Sequence, residues 1–169
     1  TFRKYDHDKD LDAAKRIWHE VQWIDDEAGE KSLDVFLKKG RSLVAELRGS
    51  AECLVTANPG KLRYLNEDLA LSIVTSVTTS RIARKQGLAK KLTARLIAEE
   101  AEAGALVSTL GIFEQGFYDQ LGYGSGSYEH WMSFDPADIA IDKKIRPPRR
   151  LNGADWKLMY QALQNRRQH

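Results

Sequence analysis

The run "LALSIVTSVTTS" at residues 69–80 passes through the short connection "RIARKQG" into "LAKKLTARLIAEEAEAG" at residues 88–104. The first is rich in β-branched residues and reads as a strand. The second places Leu88, Leu92 and Leu96 on one stripe, supported by Ala89, Ile97 and Ala101, with Lys90, Lys91, Arg95, Glu99 and Glu100 outward and Gly104 as a stop. That spacing predicts an amphipathic helix. A buried strand feeding directly into a long amphipathic helix requires a sheet with a helix packed on it, so the chain is of mixed α/β or α+β class.

The remaining segments fill out that class. Residues 1–5 predict a short strand, and Asp8 or Asp10 can cap a helix with Leu11, Ala14, Ile17, Trp18 and Val21 inward. A second short helix is predicted over 32–39, with Gly40 as its stop, and residues 21–31 form an acidic loop. "RSLVAEL" and "ECLVTAN" read as strands around the turn "RGSA", with "NPG" as a turn or bulge. After the long helix come a strand in "ALVSTLGI", a short helix in "EQGFYDQLG" and a strand in "SYEHWMSFD". The expected order is β-α-α-β-β-β-α-β-α-β.

A chain of 169 residues is the size of one ordinary domain. Its composition changes at residue 136, where paired prolines and basic residues suggest a linker over 136–150. "RRLNGADWKLMYQAL" then repeats the pattern of the opening "RKYDHDKDLDAAKRIW", as the start of a second unit over 151–169 would. The net charge of +2, from 26 basic and 24 acidic residues, argues against nucleic acid or an anionic membrane as partner. No apolar run approaches the roughly 18 residues of a membrane span. The single cysteine, Cys53, lies in a strand pattern and fits a buried thiol in a reducing cytoplasm. His7, His19, His130 and His169 show no metal spacing, so no metal is expected.

Chemistry concentrates at the connection. A helix start exposes unpaired N–H groups and the positive end of the helix dipole, and Gly87 lets an anion approach them while Arg84 and Lys85 add charge. The same residues also suit a plain turn followed by a solvated helix face. The connection lacks the Gly-Lys-Ser/Thr of a Walker loop and the first glycine pair of a dinucleotide fingerprint.

Arg84-Lys85-Gln86-Gly87-Leu88-Ala89 looks like the Gln/Arg-x-x-Gly-x-Gly/Ala motif of the GNAT superfamily of N-acyltransferases. Phe117-Tyr118-Asp119-Gln120-Leu121-Gly122-Tyr123 is similar to a second segment of that superfamily. The resemblance covers residues 1–135 and is greatest to the first domain of the enhanced-intracellular-survival (Eis) type, which resembles a hexamer of tandem-domain chains. It implies a mixed, mostly antiparallel sheet flanked by helices, and acetyl transfer from acetyl-CoA to a primary amine. The acceptor would be a small molecule, such as an aminoglycoside or polyamine, or a peptide amine. Homo-oligomerisation is also implied.

On that resemblance the backbone of Val77, Thr78 and Thr79 bonds the pantetheine arm, and the loop from Arg84 to Ala89 holds the diphosphate. Tyr118 is the implied general acid, since a phenol stays protonated near neutral pH. The base is not fixed: the strand ending at Thr79 has no acid, the Eis type uses a terminal carboxylate, and Glu114, at the start of the short helix bearing Tyr118, is the first choice ahead of Glu46, Glu67 and Asp68. Asp25, Asp26, Glu27 and Glu30 could draw in a cationic acceptor. The missing strand acid equally suits an acyl-CoA-binding module without turnover, and the cluster "KKIRPPRR" suits an interaction segment.

Overall fold

The structure is a computed structural model that describes residues 1–112, 116–126, 130–140, 142 and 147–165. It divides into two compact units, Thr1–Gly126 and Ser127–His169.

In the first unit, β1 (Phe2–Lys4), β2 (Arg41–Leu47), β3 (Ser50–Tyr64), β4 (Glu67–Thr79) and β5 (Val107–Thr109) lie side by side in chain order. The first four are antiparallel and β5 runs parallel to β4. Helices α1 (His7–Glu20) and α2 (Glu27–Lys39) cover one face, and α3 (Leu88–Glu102) covers the other. This is the expected α+β class. Leu43, Cys53, Val55 and Val74 pack beneath Leu92 and Leu96 of α3, while Val44 and Leu54 pack beneath Ala14 of α1 and Leu33 and Leu37 of α2. The opposite parity of Val44 and Leu43, and of Leu54 and Val55, follows from the two-residue strand period.

Local sequence accounts for most boundaries, with several corrections. The α1 cap is Asp6, whose carboxylate accepts the N–H groups of Asp8 and Lys9; Asp8 and Asp10 both lie inside the helix. Val21 follows the helix rather than extending its buried face. Helix α2 begins at Glu27, capped by Asp26, so the expected acidic loop is largely helix start, where carboxylates complement the dipole. Gly40 ends α2 at φ −93°, and the requirement there is space: a Cβ would lie 2.7 Å from Thr56 Cγ2 and 2.9 Å from Ala57 O.

The turn at Arg48 and Gly49 has positive φ at both residues, the two-residue hairpin geometry that matches strand twist. "NPG" is neither turn nor bulge, since β3 runs through Pro59 and Gly60 to Tyr64. The β2 pairing stops at Ala57, so the missing Pro59 N–H costs the sheet nothing. Of the short helix expected at "EQGFYDQLG", residues 114–115 lie outside the described residues and 116–122 form a turn and a 3-10 segment, Asp119–Leu121, closed by Gly122 at φ +87°. Of the strand expected at "SYEHWMSFD", residues 127–129 lie outside the described residues and 130–135 form no strand. In the second unit α4 (Trp156–Gln164) follows a capping box between Asn152 and Asp155.

Candidate acyl-donor site

Strand β4 is irregular where the site begins. Leu54 pairs with Thr78 but Thr56 pairs with Thr75, so Ser76 and Val77 together oppose Val55. This is a β-bulge, with Ser76 at φ +55°. The extra residue reverses the alternation of side chains: Val74 joins the core under α3 before the bulge, and Val77 packs against that same core after it. Thr79 follows Val77 to this face, where its hydroxyl donates to Cys53 Sγ at 3.3 Å. Burial pushes the Cys53 thiol up to about 11, which makes it inert. Strand β5 pairs β4 only along Leu71, Ser72 and Ile73. Beyond Ile73 that edge of β4, including Val77, Thr78 and Thr79, carries no strand among the described residues.

The connection then coils through a 3-10 turn, Arg81–Ala83, with Ala83 buried as its anchor. Lys85 at φ +62° and Gly87 at φ +71° turn the chain into α3. Gly87 is the N-cap and supplies no side-chain acceptor; the first helical bond is Lys91 N–H to Gly87 O at 3.2 Å. The N–H groups of Leu88, Ala89 and Lys90 are therefore left without helical acceptors. A Cβ on Gly87 would meet nothing within 4 Å among the described residues, so the space beside this N-cap is open. Arg84 and Lys85 are exposed, and neither has an ion-pair partner among the described residues. The Gln86 side-chain amide donates back to Ile82 O at 3.5 Å and braces the loop. The side chains of Leu88 and Ala89 pack on the core, which leaves their amides as the groups available to a ligand.

The Tyr118 segment is tied to the start of α3. Lys90 Nζ donates to Gln120 Oε1 at 2.7 Å, and Gln120 Nε2 donates to Gly116 O at 3.1 Å. The Tyr118 ring meets Phe117 and Tyr123 edge-on, with centroids 4.9 Å and 6.1 Å away. Burial, then the Tyr123 phenol, raises the Tyr118 pKa and keeps it protonated. Tyr123 is engaged, its hydroxyl 2.6 Å from Ser108 Oγ, whereas the Tyr118 hydroxyl has no hydrogen-bond partner among the described residues.

Glu114 lies outside the described residues. The other acids are committed elsewhere: Glu46 accepts from Arg3 and Lys9, and Asp68 accepts from Arg63 beside Glu67 at the β3–β4 hairpin end. Glu30 pairs with Lys15 and His19, so it is no free lure for a cation. Among the described residues no group of three or more His, Cys, Asp or Glu could hold a metal ion. Sequence reasoning missed a cluster beside the connection in which the half-exposed Arg16 pairs with both the partly exposed Glu20 and the buried Glu52. The available signal was Glu52, a charge that shares strand parity with the core residue Leu54.

The family model for the acetyltransferase (GNAT) domain matches residues 1–126. No curated protein matches the chain significantly. Among solved structures, a probable N-acyltransferase of Enterococcus faecalis V583 superposes with a TM-score of 0.67 at 15% identity, over 73% of this chain and 31% of that one. The chain thus spans about a third of that protein's length. A predicted acetyltransferase of Clostridium acetobutylicum, solved with acetyl-CoA, gives 0.62 at 16% identity over 82% and 97% of the two chains. A GNAT acetyltransferase of Brucella melitensis, in complex with acetyl-CoA, gives 0.59 at 20% over 74% and 82%. Those likenesses establish a shared fold, and with a family model covering most of the sequence, the chain belongs to the GNAT acetyltransferase domain family.

Proposed function

We propose that the chain is an acetyl-CoA-dependent N-acetyltransferase domain that acylates a primary amine by direct attack. The observation that carries this reading is the uncapped start of α3, with open space at Gly87 and with Arg84 and Lys85 unpaired among the described residues, immediately after a bulged strand whose edge carries no further strand among those residues. Acetyl-CoA suits such a site: its diphosphate needs several N–H donors and positive charge, and its amide-bearing arm needs a free strand edge. When bound it supplies an activated acetyl thioester.

The chain's own residues then have distinct tasks. Amides of Leu88, Ala89 and Lys90 hold the diphosphate, Arg84 and Lys85 neutralise it, and Gln86 stiffens the loop. Backbone groups of Val77, Thr78 and Thr79, on the edge of β4 that carries no strand among the described residues, would align the arm and supply N–H donors to the reacting carbonyl. Tyr118, raised in pKa and with no hydrogen-bond partner for its hydroxyl among the described residues, donates the proton that the departing sulfur requires. Glu114 remains our candidate base. The Eis-type assignment divides the chain into an acetyltransferase domain over 1–135, a linker over 136–150 and a second unit from 151, whereas the compact units of the fold divide after Gly126. A cytoplasmic setting is supported by the single buried thiol.

Calorimetry with acetyl-CoA tests the reading beside Gly87→Glu, whose carboxylate would enter the open space. Saturable binding lost in that variant is expected, with turnover against a panel of amines falling about a hundredfold in Tyr118→Phe. Binding without turnover would favour the binding-module reading, to which the acid-free end of β4 gives some support.

A further inference from the structure

The connection is fixed at its first residue as well as along its length. Arg81 N–H donates to Glu20 Oε2 at 2.8 Å, and Arg81 Nε donates to Glu20 main-chain O at 3.2 Å. Glu20 is the last residue of α1, so its carbonyl is one that a helix end leaves without an intrahelical N–H donor, and a cation there complements the negative end of the dipole. The same carboxylate is gripped from the other side, since Arg16 Nη1 donates to Glu20 Oε1 at 2.8 Å. Arg16 is in turn anchored on β3, with Nη2 donating to Ala51 O at 3.1 Å and to Glu52 Oε1 at 3.0 Å. Glu52 is buried, and Ser80 N–H donates to its main-chain oxygen at 2.8 Å.

These bonds form a closed ring. It runs from the start of β3 through Arg16 and Glu20 to Arg81, and returns through Ser80 to Glu52. Its effect on charge is selective. Arg81 belongs to the same basic run as Arg84 and Lys85, but it is drawn toward α1, whereas the other two have no ion-pair partner among the described residues.

We infer that Glu20 is a positioning residue for the acyl-donor site, holding Arg81 so that the loop is pre-arranged to receive a diphosphate without Glu20 itself touching it. The inference rests on the acetyltransferase reading. Pre-arranging a loop improves affinity by removing the cost of ordering it on binding. Loss of the anchor therefore weakens donor binding and leaves the chemical step intact.

The test compares Glu20→Ala, Glu20→Gln and Arg81→Pro by acetyl-CoA calorimetry and steady-state kinetics on the full chain. In Glu20→Ala the acetyl-CoA Kd and KM should rise about tenfold, the size expected for losing bonds to a charged group, while kcat at saturation stays within about twofold. Glu20→Gln should recover part of the loss, because its amide oxygen still accepts the Arg81 N–H. Arg81→Pro removes both donors and leaves Glu20 in place. Proline is tolerated at the first residue of a helical turn, and Ser80 at φ −54°, ψ 152° is already extended as proline requires. This variant should fold even if Glu20→Ala does not, and it should show the same rise in KM. A lowered kcat with unchanged KM, or affinities equal to that of the unaltered chain, would overturn the inference alone. No acetyl-CoA binding by the unaltered chain would overturn the acetyltransferase reading and the inference together.

Discussion

The two ends of the first unit use basic residues in opposite ways. Beside β1, Arg3 donates to Asp10 at 2.6 Å and 2.7 Å and to Glu46 at 2.7 Å, and Lys9 donates to the same Glu46 carboxylate at 2.7 Å. At the β4–α3 connection, Arg84 and Lys85 face solvent with no carboxylate against them among the described residues. A paired cation lowers the cost of a buried carboxylate and adds to stability. An unpaired one adds little to the fold and retains its field for a ligand. The contrast separates charge that builds the domain from charge that serves it, and each side can be perturbed independently.

The largest effect is expected at the paired end. Asp10 is 1% exposed and accepts bonds from Arg3 and from Asp6 N–H. Asp10→Ala removes these together and should cost about 3 kcal/mol in urea unfolding, as breaking a buried pair does. Acid should reproduce part of that loss. Hydrogen bonds from Lys9 and then Arg3 bring Glu46 down to about 2; Asp10 is lowered too, although burial pushes it up, because Arg3 and Asp6 N–H favour its ionised form. Carboxyls depressed in the folded state stabilise it fully above their unfolded values near 4. That contribution is lost as pH falls through the folded values. Urea midpoints measured from pH 5 to pH 2 should therefore fall less steeply in Arg3→Ala than in the unaltered chain.

An intermediate effect is expected at Gly87, where backbone shape rather than charge is at stake. With φ at +71° and nothing within 4 Å of an added Cβ, Gly87→Ala meets strain but no clash. It should cost about 1 kcal/mol in thermal unfolding. A loss nearer that of Asp10→Ala would mean that the connection supports the fold, and the contrast between the two ends would fail.

What could be read in advance follows from how local its cause is. The β4–connection–α3 unit was legible because strand propensity, a glycine and a leucine stripe each act within a few residues. Tyr118 was found by motif, but its lack of a regular helix was not foreseen, since Gly116 and Gly122 both take positive φ around it. The sequence pattern puts the start of α2 at Ser32 rather than Glu27, because Asp26 and Glu27 look like a solvated loop until their role at a helix start is known. The bulge at Ser76 carries no glycine to announce it and emerges only from the pairing with β3. Glu20 and Arg81 meet across 61 residues, so no local pattern could have joined them.

The smallest change in stability should accompany a large change in binding, and it probes the unpaired end directly. Replacing Arg84 and Lys85 together by alanine removes two exposed charges that hold nothing among the described residues, so unfolding should shift by no more than about 0.5 kcal/mol. Acetyl-CoA affinity should nevertheless fall about tenfold at low salt, because the diphosphate loses two cations beside amides that carry only partial charge. Salt gives the decisive control. Screening at about 1 M shortens the range of exposed charges to about 3 Å, so the difference between the variant and the unaltered chain should shrink as salt rises. An affinity loss insensitive to salt would mean that these side chains shape the loop instead of supplying its field, and Lys85, at φ +62°, would then be the residue to restore first.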